Sequence, residues 1–206
     1  MHVVHINGID YDLPAIENDG WLQLLNGSLK YKHPFHNPVV GNKGLSGISL
    51  RTVVLRKVDV AKKQLSFHTD IRSGKWKELN IDNELSWLFY SATDRLQIRV
   101  QGKATLHSTD EIANKAWATS TISSRKVYCG NEGPSTVSAI PSSGLSSYLD
   151  NNDPSIEESE IGRKNFGIIT TQVHCMEWLW LNSKGHRRAR FVYDSNNDFK
   201  ATWLIP

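Results

Sequence analysis

The sequence predicts a mainly β protein, an antiparallel barrel with helices packed outside it. Three observations carry that expectation. Arg95 to His107 alternates strictly, with Leu96, Ile98, Val100, Ala104 and Leu106 on one face and charged or polar residues on the other, as a one-sided strand should. Several further β-branched and aromatic runs are separated by short Gly, Asn and Asp turns. Helical periodicity, by contrast, is confined to a few short segments.

In chain order, residues 1–14 contain the turn dipeptide Asn7-Gly8, compatible with a hairpin or a loose arm. A helix is expected from Ala15 to Tyr31, where Trp21, Leu22, Leu25 and Leu29 recur at helical spacing, although Gly20 and Gly27 weaken it. His33-Pro34-Phe35-His36-Asn37-Pro38 is a break. Its two histidines lack the helix that would align a metal pair, so no metal site is expected. The central stretch is Ser49 to Val58, read as one strand around Thr52-Val53-Val54 with cations at both ends. Leu65 to Asp70 alternates, and 51–58 with 65–70 reads as an antiparallel hairpin. Ile71 to Trp76 is a small, basic loop whose Ser, Gly and Lys could wrap a phosphate. Trp87 to Ser91 is a further strand.

Ser108-Thr109-Asp110-Glu111 reads as a capping box with Ser108 as the cap, opening a helix that carries Ile112, Ala113, Ala116 and Trp117. Residues 130–160 turn rich in Ser, Pro, Gly, Asn and Asp. They read as a loop-rich insertion, the stretch most prone to disorder, with a short strand near Thr136 to Ile140 and a second capping box at Ser155 and Glu158. Gly167 to Leu181, the run through Tyr193, and Phe199 to Ile205 are the closing strands. No internal repeat is visible.

Composition narrows the function. The 206 residues fit a single domain, with 1–32 as an N-terminal arm and helix, and can bury a sizeable core without staples. The formal net charge of +3 is too small to argue for nucleic acid, and Arg187, Arg188 and Arg190 alternate faces on a strand and form no single stripe. No apolar run approaches the roughly 20 residues of a membrane span, and Met1 to His5 shows no signal-peptide pattern. The two cysteines, Cys129 and Cys175, form no CxxC pair, so reduced thiols and a cytoplasmic location are expected. Seven tryptophans are compatible with a pocket for a flat aromatic ligand. No Ser-His-Asp or Cys-His spacing stands out, and no side-chain nucleophile is expected.

Four motifs fall in order: Arg51-Thr52-Val53-Val54-Leu55-Arg56; Thr69 with Ser73-Gly74-Lys75; Gln97-Ile98-Arg99-Val100-Gln101-Gly102; and Trp180 followed by His186-Arg187-Arg188-Ala189-Arg190-Phe191. Together, over roughly residues 33–206, they resemble the pyridoxamine 5′-phosphate oxidase family of split-barrel flavoproteins, in a branch related to the biosynthetic oxidase. The resemblance implies a six-stranded antiparallel split β-barrel and a homodimer with FMN at the subunit interface. It implies that Arg51 and Lys75 hold the FMN phosphate with Thr69 and Ser73, and that His68 and Arg56 also belong to the cofactor site. The main chain of Thr52, Val53, Val54 and Leu55 would run along the ring, Gln97 would meet a polar edge of it, and Trp180 and Arg190 would close the site from the partner chain.

The resemblance also implies a small-molecule substrate near Arg56, Trp117, Arg125, His186 and Arg188. The departures are specific. Arg56 stands where the oxidase has Lys, Trp117 and Thr121 stand where it has a phosphate-binding Tyr and Arg, and Pro141-Ser142 replace a Gln-Ser pair. FMN binding is thus better supported than vitamin B6 chemistry. The expected function is an FMN-dependent oxidoreductase of a small, possibly phosphorylated hydride donor, with a non-catalytic flavin carrier or sensor as the alternative.

Overall fold

The computed structural model describes residues 3–6 and 8–206. Strands β1 (Val4–Ile6) and β2 (Ile9–Tyr11) pair antiparallel as a small hairpin. Asn7 of the expected turn lies outside the described residues, as do Met1 and His2. Helix α1 (Leu13–Leu29) is capped by Asp12, whose carboxylate accepts from Ala15 N at 2.9 Å. Its glycines have a packing reason: a Cβ on Gly27 would lie 2.8 Å from Phe35 Cβ, so the helix can sit tight on the turn at Pro34–His36 only without one. In that turn His33 Nδ1 accepts from Phe35 N and the His36 ring bonds the Gly27 carbonyl oxygen. Both histidines thus serve the backbone.

Nine strands form the main sheet: β3 (Val39–Gly44), β4 (Gly47–Thr52), β5 (Lys57–Asp59), β6 (Gln64–Asp70), β7 (Glu84–Ser91), β8 (Leu96–His107), β9 (Phe166–Trp180), β10 (Arg187–Tyr193) and β11 (Phe199–Leu204). The order is β11-β10-β9-β8-β7-β3-β4, with β6 on β9 and β5 on β6, and the pairs are all antiparallel. β9 is the hinge of the architecture. One edge takes β8 along its length, while the other pairs β6 over residues 166–172 and β10 over 175–180. A strand that changes partner along one edge splits the sheet. At the change, Gln101 faces Cys175 and Gly102 faces Val173, so His174 is an extra, bulged residue. Gly102 makes the bulge feasible, since a Cβ there would lie 2.2 Å from the Gln172 carbonyl oxygen.

This is the mainly β split barrel with flanking helices that the sequence predicts, with nine strands in the sheet where six were expected. The main core holds Trp21, Trp87, Phe35, Phe67, Phe89 and Phe191, all fully buried. Four of the seven tryptophans, Trp21, Trp87, Trp117 and Trp178, are buried, so most of the tryptophan count belongs to packing and not to a ligand pocket. Trp87 Nε1 donates to Thr171 Oγ1, and Trp21 Nε1 to Tyr193 OH, which in turn donates to buried Glu17.

Four local expectations are corrected. Ser49 to Val58 is not one strand: β4 ends at Thr52, where β3 ends opposite it, and the chain crosses over with Val53 N donating to Pro38 O and Leu55 N to His36 O. The hairpin with β6 therefore starts at Lys57, not Arg51. The cap of α3 (Glu111–Thr119) is Asp110, two residues past Ser108, because its carboxylate reaches Ala113 N. Past short helix α4 (Ile122–Lys126), Thr136 to Ile140 is irregular, with Val137 and Ile140 exposed and no apolar face to bury; short α5 (Ser147–Asn151) and α6 (Ile156–Ser159) follow. The Ser155–Glu158 capping box is present. No helix among the described residues is long and apolar enough to cross a membrane, and both cysteines are free.

Candidate cofactor and substrate site

A basic corner forms where β6 runs into α2 (Gly74–Ile81) beneath the inward face of β4. Thr69 and Ser73 are buried there, and Lys75 Nζ donates to Thr69 Oγ1 at 2.9 Å and to Ser73 Oγ at 3.4 Å. β4 alternates, so Ser49 and Arg51 turn inward while Ile48 and Leu50 turn out. Arg51 donates to Asn42 and lies 3.5 Å from the Glu78 carboxylate on α2. Burial lowers the Lys75 pKa, and the Arg51 charge lowers it further. Two cations and two hydroxyls thus converge at one end of a strand. The neighbouring Arg72 is not free for a ligand, because it grips Asp70 and the carbonyls of Gly130 and Asn131, strapping the loop-rich segment to β6.

From this corner the crossing segment Thr52 to Leu55 leads to Arg56, which is exposed. Four residues in extended form span roughly 13 Å. Arg56 and His68 line a cleft of about 800 Å³ between α3 and the outer face of β6, β9 and β8. His68 packs edge-on against Phe166, with ring centroids 4.9 Å apart. Burial, with the Arg56 charge, pushes its pKa down to about 4.

A second group lies elsewhere. Gln97, on β8 opposite Tyr90 and Leu179, and Arg188 and Arg190, on β10, share the outer sheet face. There Arg99, Arg188 and Arg190 converge on Glu177 beside a cleft of about 890 Å³. Their donors hold the Glu177 pKa down at about 2 against its burial. Trp180 closes the end of β9, between Leu96 and Arg187. Four strand spacings separate β9 from β4, and Arg51 faces the opposite side of the sheet from Gln97 and Arg190. One protomer therefore does not bring the two groups together.

Four of the five candidate substrate residues, Trp117, Arg125, His186 and Arg188, sit away from the cleft of Arg56. Trp117 packs with Tyr128, Phe166 and Ile168 in a small separate core, its indole N–H on Glu160. Arg125 lies over that indole, 4.9 Å from the ring centroid, and spends its donors on Glu160 (2.7 Å), Trp117 O and Ala118 O. Thr121 lines the cleft in place of a cation. His186 sits in the β9–β10 turn, where Nδ1 accepts from Asn182 N at 3.1 Å.

The sequence reading missed the acids that organise these cations: Glu78 for Arg51, Glu160 for Arg125 and Glu177 for the arginine group. Only Glu177 left a trace, as the one acid amid strands with arginines at alternating positions. The others are distant in sequence and carry no local pattern.

The fold and this basic, hydroxyl-lined corner define a split barrel with a site suited to a phosphate-bearing ligand. Residues 21–108 match the family model for the pyridoxamine 5′-phosphate oxidase FMN-binding domain. The structure is similar to a pyridoxamine 5′-phosphate oxidase-related, FMN-binding protein from Nostoc punctiforme, with TM-score 0.71 and 17% identity over 91% of this chain and 96% of that one. It is also similar to PhzG from Burkholderia lata in complex with tetrahydrophenazine-1-carboxylic acid, with TM-score 0.68 and 21% identity over 94% and 92% of the two chains. No curated protein matches the sequence. The chain thus resembles that FMN-binding family in sequence over residues 21–108 and shares the fold of these structures over most of its length.

Proposed function

We propose that this chain binds FMN and acts as an oxidoreductase on a small hydride donor, as a homodimer with the cofactor at the subunit interface. The observation that carries the reading is the corner of Arg51, Thr69, Ser73 and Lys75. Lys75 is already held by two buried hydroxyls, and its charge is disfavoured there by burial and by Arg51. A phosphate dianion would accept from these donors and relieve the repulsion between the cations, so the residues fit the group. The crossing main chain of Thr52 to Leu55 supplies a wall along which a flat ring can lie, leading to Arg56 and His68 at the donor cleft. When bound, FMN supplies a hydride acceptor. The chain supplies orientation and charge.

The separation of the two candidate groups supports a partner subunit. Gln97, Trp180 and Arg190 would reach a ligand in the Arg51 corner from a second copy. The outer face that carries Gln97 and Arg190 also exposes Ile48 (72%), Leu50 (69%), Tyr90 and Val192, an apolar surface that a two-fold contact would cover on both chains.

A flavin carrier or sensor without turnover is the second reading. Closure of Arg125 onto Glu160 favours it over a phosphorylated donor, since that cation has no charge left to offer a substrate phosphate. Anaerobic reduction of the bound flavin by candidate donors separates the two readings: bleaching supports the enzyme, and a flavin inert to donors of every class supports the carrier.

A further inference from the structure

The donor cleft holds a pair of residues that the flavin reading does not use. The sheet register sets His68, Ile168 and His107 in one row across β6, β9 and β8, and Ser66, Thr170 and Thr105 in the next. Directly paired side chains point to the same face, so two imidazoles and three hydroxyls floor the cleft beneath α3. His107 Nδ1 lies 2.6 Å from Asp110 Oδ2, while Asp110 Oδ1 accepts from Ala113 N at 3.0 Å. Asp110 is therefore fixed by the helix it caps. An ionised carboxylate on Nδ1 holds the proton there and leaves Nε2 as a lone pair. Among the described residues Nε2 has no bonding partner, and no buried side-chain nitrogen or oxygen is left without one. Nε2 thus opens onto the cleft that His107 lines.

The charges around the cleft are mostly positive. Arg56, Lys57, Lys62 and Lys115 line it, against Asp59 alone. His68 faces it from β6, and Arg163 holds the Ser108 carbonyl just behind His107. Such a rim attracts an anionic group and disfavours an ammonium.

We propose that His107, oriented by Asp110, is the proton acceptor for an alcohol donor that carries an acid group. The step balances. The O–H proton passes to His107 Nε2, the adjacent C–H leaves with its electron pair as hydride to the oxidised flavin, and a C=O double bond forms. The alcohol is oxidised by two electrons and the flavin reduced by two. The rim cations hold the acid group, and Asp110 is a positioning residue.

This rests on the flavin reading, whose own failure appears first, as a colourless protein that takes up no FMN, and would overturn both. On the flavin-loaded protein the probe is racemic mandelate, added without oxygen. Wild type should bleach. His107→Asn keeps a donor for Asp110 and should slow bleaching about 100- to 10,000-fold, with FMN affinity unchanged. Asp110→Asn keeps the helix cap and should slow it less. Nitrogen-15 spectra of the histidines give a readout independent of turnover: His107 should be the Nδ1–H tautomer at pH 7.5, and mandelate should move its Nε2 resonance. An Nε2–H tautomer, an Nε2 line unmoved by mandelate, a shift without bleaching, or His107→Asn bleaching as fast as wild type would each overturn the proposal.

Discussion

Lys75→Ala isolates the phosphate corner. In the folded chain Nζ is held at 2.9 Å from Thr69 Oγ1 and 3.4 Å from Ser73 Oγ, so little side-chain freedom remains to be lost when a phosphate arrives. Its removal should cost one hydrogen bond to a charged group, about 1.5–3 kcal/mol, or roughly 10- to 150-fold in the Kd for FMN. Arg51→Ala should cost a similar amount. The ligand-free protein should respond differently. Lys75 has a lowered pKa, because of burial and then Arg51, so the folded chain holds that proton less tightly than the unfolded one. The ammonium therefore works against folding at neutral pH, an effect that fades only as pH rises past its folded pKa. Alanine should leave the thermal midpoint of the ligand-free chain unchanged or raised. The assay is titration of the protein into FMN, followed by flavin fluorescence, with Lys77→Ala, an exposed cation on the same helix, as the control. Wild-type affinity in both Arg51→Ala and Lys75→Ala would refute the reasoning.

Three further outcomes are expected. His68, with its pKa near 4 through burial and Arg56, stays neutral in the folded chain while the unfolded chain takes up a proton below about pH 6.5; stability should therefore fall between pH 6.5 and 4, by on the order of 3 kcal/mol, and His68→Gln should flatten that slope in denaturant titrations. Gly102→Ala should cost more than about 4 kcal/mol or prevent folding, since its Cβ would meet backbone at 2.2 Å; a variant that melts within a degree or two of wild type would remove the bulge from the account. Leu50→Lys, on the exposed face of β4, should turn a dimer into a monomer in light scattering, and a wild type that is monomeric with FMN bound would rule out the interface reading.

The legible parts of the fold were those written in local periodicity. β8 alternates cleanly, so its limits were readable to within one residue, and α1 was found despite Gly20 and Gly27 because Trp21, Leu25 and Leu29 keep helical spacing. The break at Val53 was not readable, because Thr52-Val53-Val54-Leu55 has the composition of a strand; only the end of β3 opposite Thr52 stops the pairing. The cap of α3 is Asp110 and not Ser108 because the Asp110 carboxylate reaches Ala113 N, a choice of local geometry that the Ser108–Glu111 spacing does not record. In the site, the cations were legible as types near strand ends, but their partners were not. Arg125 looks available in the sequence and is closed by Glu160, 35 residues on. Whether an arginine is free for a ligand depends on long-range pairing that no motif records.

The measurement that tests the central claim most directly compares FMN with riboflavin on the purified protein. The account predicts a yellow protein that releases a molecule with the mass of FMN, one per chain, and that binds riboflavin at least ten-fold more weakly, because riboflavin lacks the phosphate that Arg51 and Lys75 await. A protein that binds the two equally, or neither, would contradict it.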